Sequence, residues 1–245
     1  MKQEIFKIAS NTQIAPAVYK MTLLGETDAI TAPGQFVDIK IDGLYLRRPI
    51  SVCDLYGNTL TLIYKVVGEG TEKLSESRSG DELDILTGLG NGYDLSLAGD
   101  RPLLVGGGVG VPPLLWLAKE LKLAGAAPTA VLGFNTADEI ILEDDFKKYC
   151  ENVVVTTVDG SYGIKGFVTD GMPADYSYIY CCGPEPMLRA VYGASETSGQ
   201  FSFEERMGCG FGACMGCSCK TITGYKRICK DGPVLKKEEI LWKQK

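Results

Sequence analysis

The chain has 245 residues, 45% hydrophobic and 23% charged, with a net charge of −6. That composition excludes a chain disordered throughout, and the acidic balance argues against general affinity for nucleic acid, which needs a basic face. Histidine is absent, which removes His-based triads, histidine metal sites, Rieske centres, His-ligated haem and the usual general base near neutral pH. Proton or electron chemistry must therefore use other side chains or a cofactor. The amino-terminal MKQEIFKIAS lacks an apolar core of signal-peptide length. The longest charge-free stretch, Pro102 to Ala118, holds four glycines and three prolines; it reads as a loop entering a helix, and no membrane span is expected. Nine cysteines without a secretory signal point to the cytoplasm, and to metal or redox chemistry before disulfides.

Residues 1–98 contain short β-like runs at Glu4–Ala9, Val18–Leu24, Gln35–Ile41, Leu60–Val67 and Glu82–Leu86, separated by Gly, Pro and Asn. Strands at that spacing predict a small antiparallel β-barrel. Within it, Arg47-Arg48-Pro49-Ile50-Ser51 stands at the end of an apolar run. A strand-end arginine can pair bidentately with a pyrophosphate, and the hydroxyl three residues on can reach a ring bound in the same register. An ordinary surface cation is the alternative for Arg48. Gly68-Glu69-Gly70-Thr71 predicts a glycine turn opening a short helix. Such an N-terminus binds phosphate through free N–H groups, or it is simply a turn.

Residues 99–200 change period. Pro102–Val105, Thr129–Phe134, Val153–Val158 and Tyr178–Cys182 read as strands, and Pro113–Leu123, Ala137–Cys150 and Pro184–Ala194 as helices. Strand–helix alternation predicts a parallel sheet covered on both faces, an α/β nucleotide-binding domain. Gly107-Gly108-Val109-Gly110-Val111-Pro112-Pro113 follows a strand and precedes a helix, the context of a nucleotide loop or of a tight turn. Val111 stands where the dinucleotide fingerprint has its third glycine, and no acid ends the next strand, since Asn135 follows Phe134. Asp159-Gly160-Ser161-Tyr162-Gly163 and Cys182-Gly183-Pro184 close two later strands. All three loops are expected at the carboxyl edge of the sheet, where ligands bind. Gly133 to Glu139 offers no Arg or Lys and ends in two acids. This predicts NAD rather than NADP, whose 2′-phosphate calls for a cation there.

Residues 201–245 hold five of the nine cysteines. Cys209, Cys214, Cys217 and Cys229 stand as C-x4-C-x2-C-x11-C, and the first spacings are those of a plant-type [2Fe–2S] cluster. The interleaved glycines let backbone N–H groups turn toward the sulfurs. Four-cysteine zinc is the alternative, but zinc favours two C-x2-C knuckles and only one is present. Cys219, two residues beyond Cys217, is either a spare thiol or a replacement ligand. Lys226 to Lys245 carries seven cations against three acids. It reads as a solvated tail or as the border of a docking surface.

Arg-Pro-x-Ser, Gly-x-Gly-Thr, Gly-Gly-x-Gly-x-x-Pro, Asp-Gly-Ser-x-Gly and Cys-Gly-Pro occur in this order, a set that resembles the ferredoxin–NADP reductase superfamily over about residues 1–200. The tail from Glu204 to Cys217 is similar to the electron-transfer subunits of dihydroorotate dehydrogenase B. The resemblance implies an α+β multi-domain protein: an FAD-binding β-barrel at 1–98, an NAD-binding α/β domain at 99–200 and a small [2Fe–2S] domain at 201–245. It implies flavin contacts at Arg48, Pro49, Ile50 and Ser51, a lining strand at Ile63, Tyr64 and Lys65, and pyrophosphate contacts at Gly70 and Thr71. Ile50 stands where many superfamily members have an aromatic ring. Gly107, Gly108, Gly110, Cys182 and Gly183 would meet the nicotinamide nucleotide, with Cys182 either near the ring or merely packed. Cys53, Cys150 and Cys181 read as core or surface thiols. A separate FMN-containing catalytic subunit would oxidise dihydroorotate, two copies of each chain forming a heterotetramer. This chain offers no residue recognisable as its acid or base. A diaphorase subunit of a hydrogenase or sulfide dehydrogenase, and a zinc-binding regulator, are the rival readings.

Overall fold

The computed structural model describes residues 1–242. The first strands are β1 (Lys2–Ala15), β2 (Val18–Leu24), β3 (Phe36–Ile39), β4 (Arg48–Tyr56) and β5 (Thr59–Lys65); helix α1 (Glu69–Glu76) and β6 (Glu82–Leu89) follow. The six strands close as an antiparallel barrel in the order β1-β2-β5-β4-β3-β6. Period-2 alternation builds it: Leu83 and Ile85 of β6 turn into the core while Glu82 and Asp84 do not. Phe6, Met21, Val37, Ile39, Leu60 and Leu62 fill the barrel, and Leu74 of α1 joins them.

Strand β4 is not expected from the sequence. Pro49 cannot donate to a ladder, and a bulge between Val52 and Asp54 breaks the alternation. Arg48 therefore begins a strand rather than ending one. β1 also runs on to Ala15, because its polar continuation Ser10-Asn11-Thr12-Gln13 pairs with β2 while facing largely outward.

The second unit comprises β7 (Leu103–Gly107), α2 (Pro113–Leu123), β8 (Thr129–Phe134), α3 (Glu143–Phe146), β9 (Asn152–Thr157), β10 (Ile164–Lys165), β11 (Ile179–Cys182), α4 (Glu185–Ala194) and β12 (Gly199–Ser202). Its strands run parallel in the order β10-β9-β8-β7-β11-β12. The central β7 is buried along its whole length, as a strand covered on both faces must be. The helix expected over Ala137–Cys150 does not form. A 3₁₀ turn at Ala137–Glu139 and the single turn α3 replace it. Leu142 is left-handed, with φ of 63°, and the acids Glu143, Asp144 and Asp145 favour a helix start there rather than a helix interior. Ile141, Phe146 and Cys150 still reach the core, which is why their spacing reads as helical.

The last segment is not autonomous. β13 (Ser218–Thr221) and β14 (Gly224–Arg227) form a hairpin, and β15 (Val234–Lys236) pairs antiparallel with β12, Phe201 opposite Leu235. The parallel sheet thus carries one antiparallel edge strand, and β12 spans position 200/201. Ile228, Cys229 and Leu235 share a buried cluster with Phe36 of the barrel and Val105 of the sheet. Among the described residues, no helix is long and apolar enough to cross a membrane.

Part of the basic tail is paired within the chain. Lys226 pairs with Glu239 at 2.7 Å and Arg227 with Asp231 at 2.9 Å. Lys237 is only 7% exposed. Its ammonium donates to the carbonyls of Ser195 and Thr197 and lies over the Tyr192 ring, closing the C-terminal end of α4, where carbonyls lack partners. Lys243 and Lys245 lie outside the described residues. Lys237→Glu should therefore cost about 3 kcal/mol or more, since it sets a carboxylate against two carbonyls. Exposed Lys236→Glu should stay within about 0.5 kcal/mol of the parent. Urea unfolding midpoints would check this, and equal effects would contradict it.

Candidate functional site

Arg47 and Arg48 are neighbours with different partners. Arg47 donates to the Asp84 carbonyl and carboxylate, both at 2.9 Å, and clamps β3 to β6. Arg48 lies at a cleft of about 1310 Å³. Its guanidinium rests against Gly70, where a Cβ would overlap it. The first backbone bond of α1 runs from Glu72 N to the Gly68 carbonyl at 3.0 Å, which leaves the N–H groups of Glu69, Gly70 and Thr71 for an anion. The Thr71 hydroxyl accepts from Val67 N at 2.9 Å and holds the turn. A guanidinium facing a helix N-terminus has the chemistry to hold a pyrophosphate.

Pro49, Ile50 and Ser51 from β4, Ile63, Tyr64 and Lys65 from β5, and Thr71 line the same cleft. Tyr64 is a wall rather than an acid. Its hydroxyl donates to Asn11 at 3.0 Å, its ring stacks on Tyr19 at 5.8 Å, and burial pushes its pKa up to about 12. The sheet contributes Val109 and Gly183. Gly107 ends β7, and Gly108 and Gly110 belong to the single turn before α2. Gly110 packs so closely on the Cys182 carbonyl that a Cβ would overlap it. Gly107, Gly108, Gly110 and Cys182 thus shape the loop behind the cleft instead of lining it. Burial pushes the Cys182 thiol up to about 12, and it lies beside Tyr93 and Ser202.

The far wall comes from the last segment: Phe203 to Met207, Cys219, Lys220, Thr221 and Trp242. Trp242 packs on Phe203 at 5.3 Å, and the Arg189 guanidinium of α4 lies 4.9 Å from its ring centre. Glu204 to Met207 belong to the tail that carries the resemblance and Cys219 was singled out as a thiol, but nothing in the sequence marked Phe203, Lys220, Thr221 or Trp242 as a wall of the cleft.

Among the four cysteines, Cys217 and Cys229 are buried, Cys209 is half-buried and Cys214 is exposed. Backbone N–H groups point at the sulfurs: Ala213 and Cys214 at Cys209 Sγ (3.2 and 3.4 Å), Gly216 at Cys214 Sγ and Cys229 at Cys217 Sγ (both 3.4 Å). Burial opposes ionisation of Cys209, but the N–H groups of Cys214, Phe211 and Ala213 outweigh it and bring the thiol down to about 6. Burial and the neighbouring Cys217 instead push Cys229 up to about 12. Among the described residues, no three acidic or thiol side chains converge on one metal ion. A binuclear cluster shares its thiolates two to each iron and is stabilised by N–H groups directed at its sulfurs. The amide-lined thiols fit the cluster. Cys219 lines the cleft from β13.

Asp38 connects the two regions. It pairs across β3–β4 with Pro49, and its carboxylate lies against Gly210, which follows Cys209. It is 2% exposed, and its Oδ1 has no partner. Burial raises its pKa from 3.8 to about 6 against the pull of Arg47 and Arg48.

A family model for the iron-sulfur cluster binding domain of dihydroorotate dehydrogenase B matches residues 204–241. The chain is 44% identical to the dihydroorotate dehydrogenase B (NAD(+)) electron transfer subunit of Geobacillus sp. (strain WCH70), covering 98% of this chain and 99% of that one. It is 46% identical to the subunit of the same name from Fusobacterium nucleatum, over 96% of each. Among solved structures, a chain of an NADH-dependent reduced ferredoxin-NADP oxidoreductase superposes with a TM-score of 0.87 at 32% identity, over 97% of this chain and 90% of that one. A ferredoxin NADP+ reductase from Neisseria gonorrhoeae superposes with a TM-score of 0.68 at 15% identity, over 79% of this chain and 90% of that one, and shares the fold. Barrel, nucleotide sheet and cysteine module together define a ferredoxin-reductase-type electron-transfer protein. The chain belongs to the family of dihydroorotate dehydrogenase B (NAD(+)) electron transfer subunits.

Replacing Cys209, Cys214, Cys217 or Cys229 by Ser should remove iron and acid-labile sulfide, while Cys219→Ser should retain both. Iron and sulfide assays on anaerobically purified protein decide this, and loss of the cluster from Cys219→Ser alone would reassign the fourth ligand. Asp38→Asn tests the buried carboxyl. A carboxyl whose folded pKa is raised contributes less stability as pH rises from 3.8 towards 6. The Asn variant should therefore gain about 2 kcal/mol on the parent between pH 4 and pH 8. Urea midpoints at both pH values measure it, and a gain independent of pH would refute the assignment.

Proposed function

We propose that the chain carries electrons within an NAD-linked dihydroorotate dehydrogenase of pyrimidine biosynthesis, from a separate FMN-containing catalytic subunit to NAD+. The observation that carries this reading is one cleft walled by barrel strands, by the Cys-Gly-Pro loop and by the cysteine module. Bound there, FAD would exchange a hydride with nicotinamide and single electrons with a [2Fe–2S] cluster, the conversion such a subunit must perform.

The chain's own groups supply binding and orientation. Arg48 and the first N–H groups of α1 would hold the pyrophosphate. Pro49, Ile50, Ser51, Ile63 and Tyr64 would form the bed of the ring, with Lys65 at its edge. Gly183 and Val109 would border the nicotinamide, with Gly107, Gly108 and Gly110 shaping the turn behind them. Cys209, Cys214, Cys217 and Cys229 would hold the cluster. The exposed side of that loop carries Cys214, Phe211 and Met215, an apolar rim suited to excluding water where the catalytic subunit docks. Two copies of each chain would complete the assembly, by the prevalence of two-fold symmetry. Nine cysteines without a disulfide support a cytoplasmic setting.

A diaphorase subunit of another complex is the rival, supported by the 32% identical oxidoreductase chain. The relatives at 44% and 46% identity favour the first reading. Reconstitution separates them. This chain alone should reduce dyes with NADH yet leave dihydroorotate untouched. Dihydroorotate-dependent NAD+ reduction should need both this chain and the FMN subunit. Full activity from this chain alone, or none from the pair, would overturn the proposal.

A further inference from the structure

Lys65 and Glu139 come from different units, and their side chains meet at 3.4 Å. Lys65 ends β5 on the wall of the cleft. Glu139 closes the turn after β8. The sequence places two acids a few residues past β8 and no cation; folding brings Glu139 back to the strand end and delivers the lysine from the barrel. The Glu139 carboxylate doubles back onto Asn135, whose backbone N–H and side-chain amide both donate to Oε2, at 3.2 and 2.7 Å. Oε1 is left for Lys65. Ser161 braces the turn from the other side, accepting from Ala137 N at 2.8 Å while donating to Asp159 at 2.6 Å.

A fixed carboxylate therefore stands at the carboxyl end of the second parallel strand of the sheet. In sheets of this kind that position meets the ribose of a dinucleotide, and an acid there bonds the 2′-hydroxyl while a cation accommodates a 2′-phosphate. This edge holds one of each, paired to the other. We propose that Lys65 is a latent 2′-phosphate-binding cation masked by Glu139, and that this pair sets the preference for NAD over NADP. The proposal rests on the reading that the second unit takes a nicotinamide dinucleotide.

The magnitudes favour a role in recognition over one in stability. The side chains are 39% and 22% exposed, and a pair that open contributes little to holding two units together. A phosphate monoester brings more than one negative charge. With Glu139 in place it would meet a carboxylate and a lysine already paired to it. With Glu139 neutral it would meet a free ammonium, and hydrogen bonds between charged groups are strong enough to change affinity by an order of magnitude.

The test uses the full chain with its cofactors loaded. Glu139→Gln and Glu139→Ala would each be compared with the parent for dye reduction by NADH and NADPH, and for NAD+ and NADP+ binding by equilibrium dialysis. The Ala variant covers the case in which Gln still bonds Lys65. The NADPH-to-NADH ratio of kcat/KM, and the matching ratio of affinities, should rise about tenfold or more. Adding Lys65→Met to either variant should return both ratios to the parental values. Unchanged ratios in both single variants, or a gain that survives Lys65→Met, would overturn the proposal. A parent protein that binds neither dinucleotide would instead overturn the functional reading beneath it.

Discussion

The site depends on the pairing of β15 with β12. Through it Gln200, Phe201 and Ser202 stand opposite Lys236, Leu235 and Val234, and a segment with little core of its own is built into the sheet. A module of this size seldom folds on its own apolar residues. Here Ile228, Cys229 and Leu235 complete a cluster that already contains Phe36 and Phe201. Asn91, just past β6, extends the attachment to the barrel. Its side chain exchanges bonds with Val234, at 2.8 Å to the carbonyl and 3.1 Å from the N–H, and its backbone N–H donates to Gly232 at 2.7 Å. The cysteine loop is thereby held against β3, close to the strand that carries Arg48.

With that geometry fixed, the ionisable groups divide by environment. Tyr64 and Cys182 are buried without compensating donors strong enough to ionise them, and both titrate near 12. Neither exchanges protons at neutral pH, which suits walls around a cofactor that does its own chemistry. At Cys209 the balance reverses, because backbone N–H groups converge on the sulfur and bring it to about 6. The lack of histidine fits this division. The fold supplies apolar walls and amide dipoles, and leaves proton and electron transfer to bound groups.

Much of this was legible in the sequence, wherever function rests on local chain geometry. The glycine turn before α1 and the strand–turn–helix context of Gly107 to Gly110 are short-range signals that form as their patterns imply, and the C-x4-C-x2-C loop turns its N–H groups to its sulfurs as the interleaved glycines suggest. The failures are of two kinds. The helix expected over Ala137–Cys150 failed because apolar spacing reports burial and not backbone conformation, and Leu142 turns the chain out of the helical region. The two acids after β8 were legible, but not that Glu139 folds back onto Asn135 at the strand end, nor that a lysine from another unit meets it there. Long-range pairing leaves no periodic trace, and neither β15 nor the far wall of the cleft had one.

Neighbouring residues with identical chemistry show where such reading must stop. Arg47 and Arg48 sit at the entry to a strand, where successive side chains leave on opposite faces. Both border the cleft, but Arg47 turns to Asp84 and ties β3 to β6, whereas the Arg48 guanidinium lies against Gly70 of α1. Lys236 and Lys237 also part, the first exposed at the end of β15 and the second, opening the turn after it, enclosed over the end of α4. Composition counts both members of each pair as surface charge. Alternation says only that the two must differ, since it does not reveal which face the rest of the molecule will cover. That choice belongs to the register between strands, set here by Asp38 opposite Pro49 and by Phe201 opposite Leu235. A slip of one residue would turn Arg48 away from α1 and carry Lys237 off the end of α4. The Arg48 cradle and the Lys237 cap are thus consequences of sheet register as much as of residue type.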